Sequence, residues 1–279
     1  MPSYGDPPAY AQPVLRILDA RTGEPVPAAP ARRGLTRIEA HVSGPDPTAL
    51  RVLLTADLLV RALELGGTPV WASLAAPHHP ADLATAATTL SIRPFEDAHD
   101  LPSGLGEAQV IHVTTETPAA SGAGPVVRVA PVEWTGEAQP APGSPPEPAP
   151  ARAPEPAAPP PLPGLLAAPS ALRLALLSVP RGEPVRLDSA VLEEAAGRLA
   201  RWRRAVAGWA RQPSRPVPDE VRARLRSAWE DDLGLPGVLE VLRAVEDAPD
   251  LPDGARFETY VYADRLLALD LARDLGSLT

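Results

Sequence analysis

No cysteine, no lysine and no asparagine occur in these 279 residues. Without cysteine there is no disulfide, no thiolate metal site, no thiol nucleophile and no dithiol redox pair. All 26 basic residues are arginine, and alanine, arginine and proline abound where lysine and asparagine are missing. That pattern fits drift toward GC-rich codons, so several residue choices reflect mutational bias rather than chemistry. Surplus positive charge is also lacking: the net charge is −9 and the pI about 5.1, which argues against a general phosphate-neutralising surface and against DNA as a partner. The acidity is uneven, with 10 arginines against 17 carboxylates over residues 1–164 (−7) and 16 against 18 over residues 165–279 (−2). The longest apolar run, near Leu172 to Val179, is too short to cross a bilayer, and Met1 to Pro13 has neither the basic start nor the apolar centre of a signal peptide. A cytoplasmic protein without a membrane partner is the expectation. Neither a P-loop, a dinucleotide fingerprint nor a Gly-x-Ser-x-Gly elbow is present.

What is abundant is proline, 38 residues, far more than uniformly packed structure accommodates. Residues 137–163 are mostly Pro, Ala, Gly, Ser and Glu, too poor in apolar surface to offset chain entropy, and predict a disordered linker. The expected organisation is a truncated Rossmann-like α/β domain (1–136), that linker (137–163), and a C-terminal antiparallel helical bundle (164–279). In the first part, 14–19 and 37–42 have strand character, with a turn at Arg21 to Pro25. Leu50, Leu53, Leu54, Leu58 and Ala62 recur at helical spacing up to the stop at Gly66-Gly67, and 68–74 returns as a strand, completing a β-α-β unit. Further strands are expected at 89–93, 110–114 and 126–132. In the last part, Asp188 or Ser189 caps a helix striped with Leu192, Ala195, Leu199, Trp202, Val206 and Trp209; Pro218 and Pro236 open two more, and 256–275 forms a fourth.

Ala171 to Ser178, Trp229 to Leu233 with Pro236, Phe257 to Thr259 and Ala263 to Leu271 resemble stretches of class I cysteinyl-tRNA synthetases, and 165–276 is similar to the family's helical stem-contact domain. His41-Val42-Ser43-Gly44-Pro45 resembles the strand end where that family places tyrosine, valine, its first zinc-binding cysteine, glycine and proline. Ser43 stands at the cysteine position, and a neutral hydroxyl is a poor zinc ligand, so no zinc or other metal is expected. The family's His-Ile-Gly-His signature is absent, Gly44-Pro45 running directly into Asp46-Pro47-Thr48-Ala49. Asp46 and Pro47 form a good N-cap and N1 pair, so this helix end, where the family meets ATP, is expected to be capped by its own chain. The lysine-bearing signature loop has given way to 163–170 and the proline-rich segment.

The resemblance therefore implies a catalytically degenerate paralogue, retained as a binding or regulatory scaffold, with no catalytic residues and no cofactor. The degenerate zinc and nucleotide site comprises Ser43, Gly44, Pro45, Asp46, Thr48 and Arg51. The alternative is an active ATP-dependent cysteine ligase whose nucleotide site has been rebuilt around Arg51. Arg198, Arg201, Arg203, Arg204 and Arg211, interleaved with Trp202 and Trp209, are a candidate surface for a protein partner or a vestigial tRNA contact. Against that, the tryptophans read as core and the arginines as their solvated flank. His78-His79 reads as a solvated loop, and His41 and His112 as structural histidines on strands.

Overall fold

Side chains alternate along β3 (Leu35–His41): Thr36, Ile38 and Ala40 are buried, while Leu35, Arg37, Glu39 and His41 are half-buried. This is the period of a strand with one apolar and one polar face. The computed structural model describes residues 14–30, 34–75, 80–97, 107–116, 124–135 and 162–276. Around β3, strands β4 (Val70–Ala75), β5 (Glu96–Asp97), β6 (Glu107–Thr114) and β7 (Val126–Arg128) form a sheet of order β5-β4-β3-β6-β7, with every neighbouring pair parallel. Counted within the sheet, the order is 3-2-1-4-5, that of a doubly wound Rossmann-like sheet, and strand order reverses between β3 and β6. Ahead of it, β1 (Arg16–Leu18) and β2 (Pro25–Pro27) make an antiparallel hairpin. Its turn uses Gly23 at φ 72° and the buried Asp19, whose carboxylate accepts the N–H of Arg21 and, from β7, of Val126.

Helix α1 (Pro47–Leu65) connects β3 to β4, and 14 of its 19 residues are buried. A helix apolar on nearly every side needs cover on nearly every side. The sheet supplies one layer through β3, β4 and β6, and the C-terminal helices supply another. Helix α2 (Pro80–Thr89) packs on α1. It displaces the strand expected at 89–93: its alanine-rich turns favour helix, and the chain then reverses through Ser91 at φ 59°, with the Ile92 N–H on the Ala87 carbonyl at 3.0 Å. The strand expected at 126–132 is likewise two, because the chain leaves β7 after Arg128 and starts β8 (Val132–Trp134) against a different partner.

The C-terminal part begins with α3 (Leu162–Leu165) and α4 (Pro169–Leu177), followed by β9 (Val185–Leu187) and then α5 (Ser189–Trp209), α6 (Asp219–Glu230), α7 (Leu235–Asp247) and α8 (Asp253–Leu267). Asp188 caps α5 through the Val191 N–H at 2.8 Å. Trp202 and Trp209 pack edge-on against Tyr260, whose hydroxyl donates to the Leu242 carbonyl at 2.9 Å. Helix α8 stops at Leu267 rather than running to 275. Ala268 turns left-handed at φ 48°, and Asp264 accepts the N–H groups of Leu269 and Leu271 instead of letting them continue the ladder.

The parts on either side of residues 136–161 meet in the structure. One apolar cluster runs from Leu15 to Leu271, and β8 pairs in parallel with β9, joining the two parts in one ladder. Residues 136–161, nearly all of the expected linker, lie outside the described residues; Leu162, at its end, already belongs to α3. No helix among the described residues is long and apolar enough to cross a membrane.

Candidate functional site

In doubly wound sheets, ligands bind outside the carboxyl ends of the strands where strand order reverses. Here that is the end of β3 beside β6, from which the chain passes through Val42, Ser43, Gly44 and Pro45 into α1. Ser43 is exposed. Asp46 caps α1, its Oδ1 accepting the Ala49 N–H at 2.8 Å. Thr48 Oγ1 accepts the Val132 N–H at 3.0 Å, fastening the first turn of α1 to β8.

Arg51, one turn further on, is only 2% exposed. Its Nη1 donates to the carbonyls of Ala130 (2.8 Å) and Glu183 (2.6 Å), and its Nη2 to that of Pro180 (2.7 Å). Desolvation pushes its pKa down to about 10, against the pull of nearby Glu183. The guanidinium remains charged at neutral pH, and its Nη donors are spent inside the chain. At the start of α1, then, Asp46 caps the helix, while Thr48 and Arg51 tie it to 130–132 and 179–183.

A second constellation occupies the polar face of the sheet at the same reversal. Parallel register places Glu39 beside His112, and His41 follows Glu39 by two residues on one face. His41 Nε2 lies 3.0 Å from His112 Nδ1 and 3.7 Å from Glu39 Oε1, while Arg37 holds the other oxygen, Oε2, at 3.5 Å. His112 is buried, and its Nε2 has no hydrogen-bond partner among the described residues. Desolvation lowers its pKa, Glu39 opposing and His41, Arg37 and Arg21 reinforcing. Among the described residues, Glu39, His41 and His112 are a group whose ligand atoms all lie within 4.8 Å of one another. Sequence reasoning passed over Glu39 altogether. The alternation Glu39-x-His41 was a usable signal, but its meeting with His112 depends on a register between strands some 70 residues apart in the chain. His78-His79 lies outside the described residues.

The arginines of α5 are largely engaged. Arg198 pairs with Glu194 at 2.7 Å, Arg201 with Glu246 at 3.2 Å, and Arg203 donates to the carbonyls of Leu269 and Asp270. Arg204 and Arg211 are exposed. Trp202 is fully buried, its Nε1–H donating to Glu246 at 3.0 Å, and Trp209 is 9% exposed, so neither offers a face for base stacking. Two open grooves of ≈ 650 and ≈ 780 Å³ lie away from the sheet, on α6 and along α6 and α7, lined by mixed charges including Arg222, Arg226, Glu230, Arg181 and Asp232.

Comparison with protein-family models and with curated proteins returns no match for this chain.

Proposed function

We propose that this protein is a non-catalytic, cysteinyl-tRNA synthetase-like scaffold with a binding or regulatory role. The observation that carries the proposal is Arg51. The cation best placed to have rebuilt a nucleotide site is buried and bonded to three backbone carbonyls at 2.6–2.8 Å. The N-terminus of α1, where backbone amides favour phosphate, carries the carboxylate of Asp46 as its cap. A capping carboxylate repels a triphosphate, and no lysine exists in the chain to offset it. Adenylate formation needs positioned cations to stabilise charge in the transition state. The partner is taken to be a protein rather than tRNA, since most of the α5 arginines answer to the chain's own carboxylates and carbonyls.

The decisive experiment is cysteine-dependent ATP–pyrophosphate exchange on tag-cleaved protein, with an active synthetase alongside and folding verified by circular dichroism. No exchange above background is expected. Exchange by folded protein overturns the proposal in favour of an ATP-dependent cysteine ligase.

A further inference from the structure

We infer that Glu39, His41 and His112 form a binding site for a divalent first-row transition cation, of the Zn²⁺ class, at the reversal between β3 and β6. The donor set is two imidazoles and one carboxylate, a composition that suits such ions and needs no thiolate. It therefore owes nothing to the cysteine position occupied by Ser43, and it stands or falls independently of the scaffold proposal.

Two of the three ligand separations fit directly, and the third lies within 4.8 Å. With metal–ligand bonds of about 2.0–2.1 Å, tetrahedral ligand atoms lie about 3.3 Å apart. The observed separations of 3.0 Å (His41 Nε2 to His112 Nδ1) and 3.7 Å (His41 Nε2 to Glu39 Oε1) bracket that value. The two ring nitrogens now face each other at hydrogen-bond distance, and binding a cation requires the rings to turn so that their lone pairs converge. Their centroids are 5.3 Å apart, close to the roughly 5.2 Å of two imidazoles on one tetrahedral ion, so the turn needs no movement of the strands.

The surroundings point the same way. Arg37 engages Glu39 through Oε2 and leaves Oε1 toward the histidines, an outer partner that orients a ligating carboxylate. The buried His112 offers the ion Nδ1, the nitrogen that faces His41; its Nε2, on the far side of the ring, stays outside the site. Ser73, in register with Glu39 on the same face, is fully buried, and its hydroxyl has no hydrogen-bond partner among the described residues. A buried hydroxyl on the strand beside Glu39 is a polar group that a further polar occupant would satisfy. Three protein ligands leave an open position for water or a ligand of the ion.

The test is calorimetric titration of Zn²⁺ into tag-free, chelator-stripped full-length protein, with Co²⁺ visible absorption reporting coordination number. One Zn²⁺ per chain is expected, together with the intense Co²⁺ bands of four- or five-coordination. His41→Ala and Glu39→Gln, both at half-exposed positions, should each weaken binding by at least about tenfold. A control lacking the adjacent pair, His78→Ala with His79→Ala, should bind as the wild type does. Absence of stoichiometric binding to folded wild type overturns the inference. So does binding that survives both His41→Ala and Glu39→Gln, or binding lost only with His78 and His79.

Discussion

Arg173 and Asp57 face one another at the junction of α4 and α1, Arg173 Nη2 lying 3.3 Å from Asp57 Oδ2 with both side chains 1% exposed. Asp57 also receives Arg61 at 2.8 Å and Arg93 at 3.1 Å, while Arg173 donates to the carbonyls of Leu267 (2.6 Å) and Leu90 (2.8 Å). One buried pair thus joins α1, the turn after α2, α4 and the end of α8. Desolvation lowers the Arg173 pKa to about 10, with Asp57 the main opposing influence, so the arginine stays charged and depends on that carboxylate. Asp57→Ala leaves a buried cation uncompensated and should cost about 3–5 kcal/mol. Asp57→Leu combined with Arg173→Met removes both charges and should cost less than the two single changes summed. A double-mutant cycle by urea denaturation measures the coupling; additive losses would refute it.

Arg51 gives a prediction of a different kind, because a nucleotide ligand and a structural tie respond differently to its removal. Arg51→Met strands the carbonyls of Ala130 and Glu183 and takes one of two donors from that of Pro180, which also accepts the Glu183 N–H at 3.0 Å. Each buried acceptor left unpaired costs about 1–3 kcal/mol. The melting temperature should fall sharply, and ATP at millimolar concentration should shift neither wild type nor variant. A variant that keeps its stability but loses an ATP-dependent shift would return Arg51 to a nucleotide site.

The β-α-β unit was legible because each of its signals is local. The stripe from Leu50 to Ala62, the Asp46-Pro47 start and the Gly66-Gly67 stop together delimit α1, observed at Pro47–Leu65. Asp188 was legible as a cap for the same reason. Where the sequence misled, distant contacts decided. Residues 89–93 alternate like a strand, yet Leu90 and Ile92 are buried as the closing turn of α2. The run from 256 to 275 is helical in pattern, but Asp264 captures the amides of Leu269 and Leu271 and ends α8 early. The Glu39–His41–His112 cluster was hidden because two of its members are strand neighbours and the third arrives through sheet register. Arg51 and Arg173 are charged residues on apolar helices whose burial makes sense only once the segment 179–183 and the end of α8 are in place.

Covalent continuity through residues 136–161 should not be what holds the two parts together. Val132 to Trp134 pairs with Val185 to Leu187, Arg181 bonds the carbonyls of Arg128 and Leu18 and the carboxylate of Asp232, and Asp232 in turn accepts the Leu18 N–H at 2.8 Å. A protease site inserted near residue 150 and cut in the folded protein should leave fragments that co-elute on size exclusion and melt together. Either fragment expressed alone should expose the apolar surface of α1 or of α4 and fail to fold. Separation of the cut fragments under native conditions would show two independent domains.

Asp264 supplies a pH dependence opposite in sign to that of most carboxylates. Burial raises its pKa above 3.8, with Asp270 adding to the effect, against the amide donors of Leu271 and Leu269 and the charge of Arg173. A carboxyl that binds its proton more tightly in the folded chain favours folding when protonated. Its contribution is therefore gained as pH falls through the folded pKa toward 3.8, and lost as pH rises through that value. Asp264→Asn removes the titration while keeping one acceptor for the end of α8. Urea denaturation at about pH 7 and about pH 4 should show the stability difference between wild type and Asp264→Asn moving in favour of wild type at the lower pH. A difference that stays constant, or moves the other way, would mean that the amides of Leu269 and Leu271 outweigh burial and that the carboxylate is the form the fold prefers.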